Sequence, residues 1–236
     1  MTLTHNDNVP WADSATDVRR LGGLSSFGRE VVREMNRIGM FVDLSHVSHD
    51  VMRQALDTTS APVVFSHSSA YAVCDHPRNV PDDVLARLAD NGGTCMVTFV
   101  PRFVSQDMRD WSRAAEEHAV AAGVDPREVW AFQQFEARYA EQVPPPVVRL
   151  DEVVAHVEHV REVAGVDHVG LGGDYDGVEW LPEGLEDVTG YPRLLAALRE
   201  RRWSDDELAK LSCRNVLRTM RSMEDTAGRV AGLTNG

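Results

Sequence analysis

Cysteine is scarce in this 236-residue chain, and what there is does not pair. Cys74, Cys95 and Cys213 are an odd number without a C-x-x-C spacing, so neither a disulfide framework nor a thiolate zinc site is indicated, and a reducing, cytoplasmic setting is expected. Long apolar runs are missing as well. No stretch of about 18 apolar residues is available to span a bilayer, and the opening MTLTHNDNVPWAD has neither the basic nor the apolar part of an export signal. Basic surface is the third absence. The net charge is −13, and the densest basic cluster, Arg199, Arg201 and Arg202, is interrupted by Glu200 and followed by Asp205, Asp206 and Glu207. Such a chain repels nucleic acid and anionic membranes, so neither is expected as a partner. There is no internal repeat and no low-complexity tract.

What is present is the composition of an ordinary globular protein, 43% hydrophobic and 26% charged, long enough for one sizeable core. Short apolar runs alternate with helical patterns, the rhythm of parallel β/α units. Ser25 and Ser26 are N-cap candidates for a helix with Phe27, Val31, Met35 and Ile38 at helical spacing, stopped by Gly39. The run MFVDLSH from Met40 reads as a strand, Ser48 to about Leu56 as a helix, and APVVFSH from Ala61 as a second strand. Pro81, Asp82 and Asp83 open a helix through VLARLADNGG, ended by Gly92 and Gly93, and Thr94–Val100 is a third strand.

Between Pro101 and Pro146 two polar helices carrying Trp111 and Trp130 read as an insertion at a strand end, too short for a core of its own. An amphipathic helix from about Leu150 leads to a strand, HVGLGGDYDG from His168, that runs into a glycine-rich loop. A last helix from Ser204 to about Met220 starts with a capping box, Ser204 to Glu207, and the polar tail 221–236 is expected to be flexible. Residues 1–220 are thus expected to form one α/β domain.

Chemistry is signalled by position. Apolar runs end in His46, His67, Asp174 and His5, and in a parallel barrel the C-terminal strand ends are where an active site is built. His46 and His67 lie one β/α unit apart, which suits two zinc ligands on neighbouring strands. Each taken alone reads equally well as a hydrogen-bonded histidine at a strand end. Asp174 reads alternatively as the cap of a turn, with Asp176 close enough to be confused with it, and Arg78 reads alternatively as a surface partner of Asp75. His49 and His76 are expected to be solvated loop residues, and His118, His156, His159 and His168 to lie away from the mouth.

The strings LTHNDNVPWAD, FVDLSHVS, PVVFSHSSAYAVCDHPRNVPDDVL and VGLGGDYDGV, in this order, closely resemble the membrane (renal) dipeptidases, metallopeptidases of the amidohydrolase superfamily. The resemblance runs to about Arg218. It implies a TIM-type (β/α) barrel that hydrolyses dipeptides at a binuclear zinc centre. It further implies that His46 and His67 are ligands of one zinc, and that His5 polarises the scissile carbonyl and binds that part of the substrate. Arg78 would hold the substrate's terminal carboxylate, and Asp174 would move a proton between the attacking water and the leaving amine. A homodimer is left open.

The resemblance also shows a departure. Family members carry a His-x-Asp pair and a zinc-bridging Glu upstream of the LTH motif, and Thr4 of that motif is preceded here by only Met1, Thr2 and Leu3. The expectation is therefore a C-terminal part of the barrel, lacking its first several β/α units. One partial zinc site is expected in place of two ions, and the chain alone is expected to be inactive or poorly folded. Two alternatives stay open: another amide or lactam hydrolase of the superfamily, and a non-catalytic interaction module made from a degenerate barrel.

Overall fold

The computed structural model describes residues 1–233. Its centre is a parallel sheet of β1 (Val64–Phe65), β2 (Thr94–Val97) and β3 (Val169–Leu171), in that order. Val64 lies opposite Thr94, and Cys95, Met96 and Val97 face Val169, Gly170 and Leu171. Parallel bridges from Asp43 to Val64 and from Thr2 to Asp43 continue the strip on the β1 side. Five chain segments therefore run parallel in chain order, which is what successive β/α crossovers of one hand produce.

The segment around Asp43 pairs less than a strand should. The run from Met40 makes a single bridge on each side instead of a ladder. Asp43 explains this, because Oδ1 accepts from the backbone N–H groups of Ser45 (3.0 Å) and Ser66 (3.1 Å), removing donors that would have extended the pairing.

The first helix, α1 (Ser26–Ile38), begins where Ser25 Oγ accepts from Gly28 N and ends on Gly39 at φ 72°. Its buried face is Gly28, Val32, Met35 and Asn36, whereas Phe27 and Ile38 of the expected stripe are more than half exposed. Gly28 accounts for the rotation: a Cβ there would lie 2.4 Å from the Trp11 carbonyl oxygen, so the helix turns its one side-chain-free position to that close approach. The helix expected from Ser48 to about Leu56 is α2 (His49–Thr58), capped by Ser48 Oγ. The expected helix after Pro81 is two short pieces, α3 (Asp82–Leu85) and α4 (Leu88–Asn91), separated by a tight turn in which Arg87 N donates to Val84 O.

From residue 101 the chain forms α5 (Pro101–Val104), α6 (Gln106–Ala121) and α7 (Val129–Gln142), one short helix more than the pattern indicated. Ala115, Ala119 and Phe132 make a small apolar cluster of their own, while Trp111 joins the main core and Trp130 is exposed. Helix α8 (Leu150–Ala164) lays the fully buried Val153, Val157 and Val160 in the same core as Phe65, Cys95, Val97 and Val169 of the strands. Burying one such side chain is worth about 2 kcal/mol. Helix α9 (Tyr191–Glu200) has no counterpart in the sequence reading. Its buried stripe is only Leu194 and Leu198, too short to stand out.

The capping box of Ser204 and Glu207 starts α10 (Asp205–Ala209). A π-helical turn at Lys210–Arg214 then leads into α11 (Asn215–Leu233). The wide turn brings Asn215 under β3, where its amide donates to Val166 O and Val169 O, both at 2.8 Å. The expected flexible tail is corrected as far as Leu233, since α11 packs on α1 with Met223 and Thr226 buried. Residues 234–236 lie outside the described residues. Among the described residues no helix is long and apolar enough to cross a membrane.

Two stability experiments follow from this packing. Met223→Ala should lower the unfolding free energy by about 2 kcal/mol in urea titrations, through lost burial and a residual cavity; a frayed tail would leave the midpoint unmoved. His156 is fully buried, accepts Ala70 N–H on Nδ1 (3.0 Å) and therefore donates from Nε2 to Val104 O (3.1 Å). Burial pushes its pKa down to about 4. The unfolded chain, with histidine near 6.5, then binds the extra proton first, so the contribution is intact above pH 6.5 and lost as pH falls toward 4. The urea midpoint should drop between pH 7 and pH 4.5, and less steeply in His156→Gln, which starts lower.

Candidate active site

The five residues singled out from sequence come together in one cleft of about 880 Å³ at the C-terminal ends of the parallel segments. His5 follows the Thr2 bridge, His46 the Asp43 bridge, His67 β1 and Asp174 β3, while Arg78 comes from the loop after His67. Helices α5, α6 and α7 form a further wall, contributing Arg102, Arg109, Glu116, Phe132 and Gln133.

His46 and His67 point their Nε2 atoms at each other, 2.9 Å apart. The state of His67 follows from its partners. Asp43 Oδ2 can only accept, so Ser66 Oγ donates to it (2.6 Å), and Ser66 Oγ must then accept from Nδ1–H of His67 (2.8 Å). The Nε2 lone pair of His67 is thereby left facing His46. Burial depresses both rings, His46 to about 2 and His67 in the same direction, with Arg78 as the next cause, so both are neutral and able to act as donors to a cation. His5, exposed to the cleft, stacks on His46 with ring centroids 4.2 Å apart.

The backbone here is unusual. His46 at φ 72° and Asp174 at φ 60° both adopt the left-handed conformation, which costs a residue with a Cβ about 1 kcal/mol or more. Asp174 reaches the cleft because the two preceding residues are glycines. A Cβ on Gly172 would meet Ser66 O at 2.0 Å, so only glycine lets this segment lie against the end of β1. Asp176, the alternative carboxylate, is exposed and does not line the cleft.

Arg78 is 3% exposed. Its guanidinium lies over the Phe103 ring, 5.1 Å from the centroid, Nη2 donates weakly to His67 O at 3.5 Å, and Nε has no partner among the described residues. Burial pushes its pKa down to about 10 against the opposing pull of Asp174, so it stays charged at neutral pH. A buried cation with an unmet donor is poised for an anionic ligand. The surface pairing with Asp75 does not occur; Asp75 instead accepts from Gln106.

The sequence reading missed other residues of the cleft. His76, expected in solvent, is 7% exposed and lines the cleft. Its Nδ1 accepts Arg78 N–H (3.1 Å), and its ring stacks on Phe103. Its place two residues before Arg78 was the available signal. His49 is also no solvated loop residue: it opens α2, half-buried, with Nε2 on Asn79 O and its ring edge on Tyr71. Arg102 and Arg109 had no signal, because nothing in a polar helix says which face meets a cleft. His118, His156, His159 and His168 lie outside the cleft, as expected.

The residues present fit part of a zinc site. Two nitrogens on one tetrahedral zinc sit about 3.3 Å apart, so a small opening of the His46–His67 pair would admit the ion, and the Asp43–Ser66 relay holds His67 in the ligating tautomer. Among the described residues no third His, Cys, Asp or Glu joins them to make a metal-holding group. The relay is testable without metal. At pH 7, nitrogen NMR should show His67 as the Nδ1–H tautomer, and Ser66→Ala should turn it into a mixture; an unaltered spectrum would refute the relay.

Comparison with known proteins shows the family and the fold. Residues 1–232 match the profile of the family described as membrane dipeptidase, peptidase family M19. An uncharacterized dipeptidase of Schizosaccharomyces pombe is 44% identical over 226 residues, which are 95% of this chain and 46% of the relative, so the chain spans about half the length of that protein. The crystal structure of the probable dipeptidase PvdM from Pseudomonas aeruginosa superposes with a TM-score of 0.83 at 25% identity, over 96% of this chain and 62% of the other. A metallo peptidase from Rhodobacter sphaeroides, liganded with a phosphinate mimic of the dipeptide L-Ala-D-Ala, gives 0.72 at 25% identity over 94% of this chain and 55% of the other. With a matching profile over nearly its full length and a mixed α/β fold like that of these structures, the chain belongs to the membrane dipeptidase family.

Proposed function

We propose that this chain carries one side of the active site of a zinc dipeptidase, in a sector of a (β/α) barrel. The observation that carries the reading is the convergence, in one cleft, of two neutral histidines facing each other through Nε2 and a buried guanidinium with an unmet donor. Five parallel segments in chain order support the barrel sector, and the phosphinate dipeptide mimic held by the Rhodobacter sphaeroides relative supports the substrate class.

In this reading His46 and His67 hold one zinc of a binuclear centre. When bound, zinc supplies Lewis-acid polarisation of the scissile carbonyl and an activated water. The remaining work belongs to side chains. Arg78 takes the C-terminal carboxylate of the substrate, replacing its unmet Nε–H with a charge-assisted bond and fixing the peptide at one end of the cleft. His5, stacked on His46 and open to the cleft, donates to the carbonyl oxygen as negative charge develops on it. Asp174, held out by its left-handed backbone, takes a proton from the attacking water and delivers it to the departing amine.

Two histidines fill only two of the four positions of a four-coordinate ion, and no third protein ligand joins them among the described residues, so the chain alone is expected to bind zinc weakly and turn over dipeptides poorly. A dipeptide panel with added zinc, assayed on the chain alone and on the chain mixed with the separately expressed part of the Schizosaccharomyces pombe relative that it does not cover, tests this. Zinc-dependent hydrolysis that appears on mixing supports the reading. Replacing the substrate's carboxylate by an amide, or Arg78 by Met, should then lower kcat/KM by about 100-fold or more. Equal hydrolysis of amidated dipeptides would refute the role of Arg78.

A further inference from the structure

The wall of the cleft built by α5 and α6 carries positive charge that the dipeptide reading does not use. Arg102 on α5 and Arg109 on α6 are both half-buried and both line the cleft with Arg78 and His76. Neither makes a side-chain hydrogen bond or ion pair among the described residues, and Arg109 Nε is buried without a partner. Other arginines near this wall find acids: Arg113 pairs with Asp110 one turn along the same helix, and Arg127, which also lines the cleft, pairs with Asp125. With net charge −13, acids are in surplus, yet among the described residues no carboxylate pairs with these two guanidiniums, which share one concavity.

The neighbours sharpen the chemistry. His76 accepts Arg78 N–H on Nδ1, so its proton is on Nε2 and it too is a donor on this wall. Arg102 lies near enough to Arg78 to work against its charge, and Arg102 and Arg109 both work against that of His76. Two acids stand nearby: Glu116 on the same wall and Glu136, close enough to feel Arg102. Neither forms an ion pair with these arginines, and burial raises the Glu136 carboxyl. A cluster of donors and cations in which no carboxylate forms an ion pair, among the described residues, is stabilised when an anion enters it and bonds to them directly.

Arg78 is satisfied by one carboxylate. Resting on the dipeptide reading above, we propose that Arg102 and Arg109, with Nε2–H of His76, form a second anion subsite beside Arg78, one that selects dipeptides whose C-terminal residue bears a side-chain carboxylate. The C-terminal residue is the one concerned because, in the reading above, Arg78 holds its main-chain carboxylate, and Arg102 and Arg109 line the same cleft.

The test compares alanyl-glutamate with its neutral isostere alanyl-glutamine by calorimetry on the chelator-treated full chain, so that hydrolysis does not intervene. Alanyl-glutamate should bind about ten-fold more tightly or better, and Arg102→Met and Arg109→Met should each pull that ratio toward unity. Arg102, the guanidinium without an orphaned buried atom, is the variant to rely on if Arg109→Met loses its circular dichroism. Equal affinity for the two dipeptides in the parent chain would overturn the second subsite while leaving the dipeptidase reading standing. Binding of neither dipeptide would overturn the dipeptide reading, and this inference with it. A ratio that survives both substitutions would place the selectivity elsewhere and overturn the assignment to these arginines.

Discussion

Asp43 lies between two parallel segments that touch it through one bridge each, and its carboxylate takes over the hydrogen bonds a longer ladder would have made. One oxygen fastens the backbone of Ser45 and Ser66; the other takes the Ser66 hydroxyl, which in turn orients His67. The Ser45 hydroxyl accepts His67 N at 3.0 Å and meets the Ser68 hydroxyl at 3.1 Å, stitching the same two segment ends together. Sheet and site are thus held by one set of bonds. Shortening the strands is what frees these polar groups, and freeing them is what aims two imidazoles at the same point.

The electrostatics of the cleft run opposite to those of the molecule. A chain with a surplus of acids repels other anions at long range, yet it keeps Arg78, Arg102 and Arg109 free of ion pairs within one concavity. Burial raises the cost of each uncompensated charge, and the surrounding core bears that cost. Fully buried valines of α8 and apolar residues of β1, β2 and β3 share one core, and His156 ties the loop carrying Arg78 to the backbone of α5 through Ala70 and Val104.

How much of this was legible in the chain depended on the range of the interaction. Helix ends were readable because caps are local: Ser25, Gly39, Ser48 and the Ser204–Glu207 box behave as their neighbours dictate. His5, His46, His67 and Asp174 were readable as polar residues ending apolar runs and Arg78 through the family resemblance, and the structure gathers the five in one cleft. Failures came where a distant partner decides. Gly28 rotates α1 because Trp11 lies elsewhere in the chain, α11 continues past Arg221 because α1 offers it a surface, and His76 is buried by Phe103. The run at Met40 fails as a full strand because of a carboxylate within it, whose competition with the ladder shows only once the neighbouring segment is in place.

His46 and Asp174 share one feature whose effect reaches beyond the cleft: both hold a left-handed backbone without being glycine. At such positions glycine relieves strain, and the chain would fold more stably by about 1 kcal/mol for each exchange. A selection for heat resistance alone would therefore drift toward glycine at these two places and give a sturdier protein without the imidazole and the carboxylate. Folding stability and the presence of these two cleft-facing side chains thus pull in opposite directions at the same two backbone positions.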